Sequence, residues 1–122
     1  AKPGLKVALC QQEVPCGATA AKVFANAQLT VKPVTEEADV KATHAKATLG
    51  EGDGAAAQVT DALAAGDKVK ALEIPAEINA STAYPIAPAT GTANQGLAEA
   101  FVAYVLSAEG QKVLADAGFV QP

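Results

Sequence analysis

Apolar positions along the chain alternate between strand-like and helix-like patterns. "LKVALC" (Leu5 to Cys10) is a short apolar run with β-branched content and predicts a buried strand. "CGATAAKVFANAQ" then turns to helix formers, with Val23, Phe24 and Ala27 at helical spacing. "TVKPV" predicts a second strand, and its Pro33 marks an edge or an ending. "TEEADVKATHAKATLG" predicts a second helix with Thr35 as N-cap, acids in the first turn and Gly50 as the stop. A strand is expected over Ala55 to Val59, although three alanines and Gln58 stand where β-branched residues would be usual. "TDALAAG" predicts a short helix closed by Gly66, "DKVKALEIP" a strand ending at Pro75, and "AEINASTA" a loop. "YPIAPAT" starts as a strand and is interrupted by Pro88. In "NQGLAEAFVAYVLS", Leu97, Phe101, Tyr104 and Val105 form one apolar helical face. Ser107 is placed to cap "AEGQKVLADAG", with Gly118 as its stop. Strands alternating with helices predict an α/β fold: a mostly parallel sheet flanked by helices.

Composition narrows the function classes. A length of 122 residues predicts a single domain, 1–122, and a core built from Ala, Val and Leu. The net charge is −4, the lysines are scattered singly and there is no Arg, which argues against a nucleic-acid partner. No apolar run approaches the ~20 residues that span a bilayer. No basic leader with an apolar core is visible, so a signal segment is expected to be removed or never present.

Cys10 and Cys16 lie in "CQQEVPC". A disulfide is favoured over a reduced pair and over a metal or redox role, because a zinc site wants four ligands and His44 is the only histidine. A disulfide would place the chain in an oxidising compartment.

Two loops run from a strand straight into a helix, where free N–H groups and the positive dipole end suit an anion. One is "VPCGAT", opened by Cys16 and Gly17; the other is "EEADVK", opened by Asp39 and Val40. Plain helix starts are the competing reading, and Glu36, Glu37 and Asp39 work against an anion unless their side chains turn away. His44 shares the inward face with Val40 and Ala47; a structural role, hydrogen-bonded or at the rim, is favoured over ligand or base. No catalytic set can be composed around one histidine, and the glycines of "GEGDG" follow a helix and precede a strand, the reverse of a dinucleotide loop. The chain is therefore expected not to be an enzyme and to need no cofactor.

The series "LKVALC…VPCGATAAKVF", "VTEEADVKATHAKATLGEGD", "VTDALAAGDKV", "YPIA" and "LAEAFVAYVLSAEGQKVLADAGF" resembles the periplasmic molybdate-binding proteins, type II solute-binding proteins of ABC transporters, and among them the actinobacterial lipoprotein branch. The resemblance runs through nearly the whole chain. It implies an extracytoplasmic protein, periplasmic or a cell-surface lipoprotein, that holds molybdate or tungstate between two lobes through uncharged donors. Residues 1–86 correspond to the second lobe, and 87–122 to C-terminal helices that return to the first. The implied oxyanion contacts are the backbone N–H groups at Cys16 and Val40, with Gly17 beside them. Gln58 stands where the family has a tyrosine donor at a strand end, and its amide could still donate. Paired cysteines in the first loop are usual in that branch, so Cys10 and Cys16 would brace the first anion loop. The resemblance also implies that the chain begins after the first lobe, so binding is expected to be impaired. The partners expected are a permease or a missing first lobe, with a possible homo-oligomer. The alternative is an engineered or truncated scaffold that self-associates through its C-terminal helices.

Overall fold

Strand β1 (Val7–Cys10) organises the first half of the chain. Its Ala8, Leu9 and Cys10 are buried, and with Ala20 and Val23 they make up the buried hydrophobic core among the described residues, 4–121 of a computed structural model. Two compact units are present, Ala1–Thr82 and Ala83–Pro122.

In the first unit β1 is the central strand of a three-stranded parallel sheet, between β2 (Thr35–Glu37) and β3 (Gly54–Ala55). Ala8 lies opposite Thr35 on one side and Ala55 on the other. Helix α1 (Pro15–Asn26) joins β1 to β2 and buries Gly17, Ala20 and Val23. Helix α2 (Val40–Thr48) joins β2 to β3 and touches all three strands. These two crossovers run in opposite directions along the sheet, so right-handed connections put α1 and α2 on opposite faces. Helix α3 (Val59–Ala65) follows β3, packs against α2 and ends in a 3₁₀ turn (Gly66–Lys68).

Several expectations need correction. Thr35 is not an N-cap: it opens β2, because Val34 N–H already donates to the Val7 carbonyl at 2.9 Å and draws the next residues into pairing with β1. The second strand accordingly lies at Thr35–Glu37 rather than in "TVKPV". Asp39 caps α2 instead. The strand expected over Ala55 to Val59 is only Gly54–Ala55, and Gln58 is the N-cap of α3. "DKVKALEIP" forms no strand: Leu72 is exposed, and beyond the 3₁₀ turn no regular element holds these residues. "YPIAPAT" is likewise irregular. His44 is half-buried, and its Nε2 is buried without a hydrogen bond among the described residues.

The second unit contains α4 (Gln95–Leu106) and α5 (Ala108–Asp116), packed on each other across Ser107. Ser107 Oγ accepts the Gly110 N–H at 3.3 Å, the capping role expected of it. A Cβ on Gly110 would collide with the carbonyl oxygens of Tyr104 and Val105, so only glycine fits this corner. Tyr84 and Phe119 meet edge to face at 5.8 Å. The apolar residues of α4 remain outside any core: Leu97 is 74%, Phe101 61% and Tyr104 50% exposed.

Candidate oxyanion site

A parallel sheet delivers the C-terminal ends of all its strands to one edge, and the following helices begin there. Here α1, α2 and α3 start from that edge. Pairing between β1 and β2 continues one residue past the strands, with Gln11 N–H donating to the Glu37 carbonyl at 2.9 Å. The loops that open α1 and α2 are thus held side by side.

No side chain caps α1, and its first turn carries no acid. Pro15, in the first turn, has no N–H to offer. Intrahelical bonding starts with Ala18 N–H on the Val14 carbonyl at 3.0 Å. The N–H groups of Cys16 and Gly17 consequently have no acceptor within the helix. Gly17 is required by space: a Cβ would run into the Gln11 carbonyl group and come within 2.7 Å of the Cys10 carbonyl oxygen. The helix start is pressed against the chain that leaves β1.

Helix α2 starts differently. Asp39 Oδ1 accepts the Ala42 N–H at 2.8 Å, and the Asp39 carbonyl accepts both the Thr43 N–H at 3.1 Å and the Thr43 hydroxyl at 3.0 Å. The Asp39 carboxylate is folded back onto its own helix, which leaves the Val40 and Lys41 N–H groups without intrahelical acceptors. Glu37 is drawn to the Thr35 hydroxyl, which donates to its Oε1 at 2.6 Å. Two of the acids that weighed against an anion are therefore occupied with local donors.

Helix α3 starts with a reciprocal box. Gln58 accepts the Asp61 N–H through its side chain, while Asp61 Oδ2 accepts the Gln58 N–H at 3.2 Å. Gln58 thus lies at the same sheet edge as Cys16, Gly17 and Val40, but as a cap, with its side-chain oxygen committed to α3. His44 lies one turn into α2, away from the helix start.

Cys10 and Cys16 are joined by a disulfide, with Cα atoms 5.8 Å apart. The bridge ties the last residue of β1 to the first turn of α1. Cys10 Sγ in turn lies 3.2 Å from Thr43 Oγ1. A half-cystine has no proton to give and the Thr43 proton goes to Asp39, so this is a polar packing contact between the bridge and α2. Thr43 is fully buried. Sequence reasoning missed it, although a threonine one turn after an aspartate N-cap is a readable signal. It also missed α3 as a third helix start at this edge, for which Gln58-x-x-Asp61 spacing was the clue. Among the described residues no group of three or more His, Cys, Asp or Glu is placed to hold a metal ion.

Comparison with known proteins agrees with this architecture. The chain matches the bacterial extracellular solute-binding protein family over residues 1–120. It is 34% identical over 121 residues to the molybdate-binding protein ModA of Mycobacterium bovis and to those of two strains of Mycobacterium tuberculosis. These alignments cover 99% of this chain and 46% of each relative, so the chain spans about half the length of the curated relatives it matches. No solved structure matches it significantly. No helix among the described residues is long and apolar enough to cross a membrane. With a parallel sheet flanked by helices and a family match spanning nearly every residue, the chain belongs to the bacterial extracellular solute-binding proteins.

Proposed function

We propose that this chain contributes one wall of an extracytoplasmic binding site for a tetrahedral oxyanion, molybdate or tungstate, in the solute-binding component of an ABC transporter. Its role is capture rather than catalysis. The observation that carries the proposal is the start of α1: two free N–H groups, no capping side chain and no acid in the first turn, held beside the start of α2. The names of the relatives point to the same ligand class. The Cys16, Gly17 and Val40 N–H groups donate to the anion. Gln58 contributes through its amide nitrogen, since its oxygen caps α3.

Two carboxylates, Asp39 as the N-cap of α2 and Asp61 in the first turn of α3, oppose an anion even while hydrogen-bonded. Affinity in the millimolar range is therefore expected of this chain. The apolar residues of α4 are the surface proposed to meet the other lobe, whether that lobe lies in the same chain or another.

Thermal unfolding with molybdate, against sulfate at matched ionic strength, tests the proposal. A ligand at about ten times its dissociation constant adds ~1.4 kcal/mol, a rise in Tm of about 5 °C for a domain of this size. A rise with molybdate and not with sulfate supports the reading. Equal responses to both anions, or no response to either, would overturn it.

A further inference from the structure

We infer that the Cys10–Cys16 bridge is a redox gate on the oxyanion site: oxidised, the start of α1 accepts the anion, and reduced, the Cys16 thiolate supplies a negative charge of its own at that place. The inference rests on the reading of this helix start as an oxyanion site.

Three observations carry it. The bridge joins β1 to the first turn of a helix that has no capping side chain and no acid in its first turn, and whose Cys16 and Gly17 N–H groups have no acceptor among the described residues. The same dipole and N–H groups that favour an oxyanion favour a thiolate at a helix start. The two cysteines also differ in exposure, because Cys10 is 3% exposed while Cys16 is only half-buried. A reductant therefore reaches Cys16 first.

The helix start is held by more than the bridge. Gly17 fits against the Gln11 and Cys10 carbonyl groups, Val14 N–H bonds the Gln11 carbonyl at 3.2 Å, and Gln11 N–H bonds the Glu37 carbonyl at 2.9 Å. Opening the bridge therefore changes the charge at the site more than its shape.

The chemistry balances with a dithiol as reductant. One of its thiolates attacks the accessible Cys16 sulfur, and Cys10 leaves and takes up a proton. The second thiol of the reductant then displaces Cys16, and the reductant departs as a cyclic disulfide. Two electrons and two protons reach the protein, and Cys16 releases its proton to solvent.

The test compares molybdate titrations of the whole chain, oxidised and then reduced with dithiothreitol under anaerobic conditions, reading the molybdate-induced change in Tm within each state. The reduced chain is expected to need roughly tenfold more molybdate for half-saturation. Identical half-saturation in both states would overturn the gate while leaving the oxyanion reading intact. No molybdate response in the oxidised chain would overturn both. A second measurement separates charge from bracing. The reduced chain is capped at Cys16 with iodoacetamide, giving a neutral adduct, or with iodoacetate, giving a carboxylate of similar bulk. The neutral adduct is expected to bind several-fold more tightly, and equal binding by the two adducts would overturn the gate.

Discussion

The two units of this chain are stabilised in different ways. The first has a central strand whose Ala8, Leu9 and Cys10 are buried, and every buried hydrophobic residue among those described belongs to this unit. The second consists largely of two helices that meet at a glycine corner, with Gly110 its only buried helical residue. Both contain a glycine that no side chain could replace, Gly17 in one and Gly110 in the other. In the first unit that close approach shapes a helix start at the edge of the sheet. In the second it only turns a corner. The difference is that the buried hydrophobic residues all lie in the first unit, while Leu97, Phe101 and Tyr104 of α4 stay exposed in the second.

The largest effect should come from Gly17→Ala. Its Cβ must displace backbone carbonyl groups rather than a flexible side chain, so a loss of roughly 3 kcal/mol is expected, read as a lower urea midpoint. An unchanged midpoint would show that the approach of α1 to the β1 loop is looser than described. Thr43→Val keeps shape and burial but removes the hydroxyl that bonds the Asp39 carbonyl. A loss of about 1 kcal/mol is expected, because that carbonyl keeps the Thr43 N–H. The smallest effect should be that of Phe101→Ser, within about 0.5 kcal/mol on the unfolding midpoint, since Phe101 is exposed. Light scattering sharpens this last comparison. If the native chain shows concentration-dependent mass and Phe101→Ser abolishes it, copies of the chain meet through α4.

Much of this contrast was legible in the sequence, and the failures have identifiable causes. The α4 face could be read from spacing and α5 from its serine cap, because helix signals are local. The Thr35-Glu36-Glu37 stretch looked like a helix N-terminus, with a hydroxyl followed by acids, yet it forms β2 because parallel pairing with β1 outweighs local preference. The alanine run was expected to be a strand in spite of its composition. Only its first residue belongs to β3, with Ala56 N–H adding a bond to the Ala8 carbonyl at 3.4 Å, and Gln58 is drawn into a box with Asp61, leaving a strand of two residues. The starts of α1 and α2 were readable because their signals are local, Pro15 in the first turn of one and Asp39 as the cap of the other. The adjacency of the disulfide to α2 was not, because it depends on a contact between residues thirty-three positions apart, whereas Thr43 had a local signal in its spacing from Asp39.

The irregular stretch after the first unit also has a consequence for how the chain meets proteases. Residues 81–87 are all exposed and belong to no helix or strand, while the sheet is complete by Ala55 and α3 by Ala65. A cut there breaks no strand pairing and removes no donor from the proposed site. Limited digestion is therefore expected to cut within residues 81–87 and to leave the sheet, its disulfide and its three helix starts on one side of the cut.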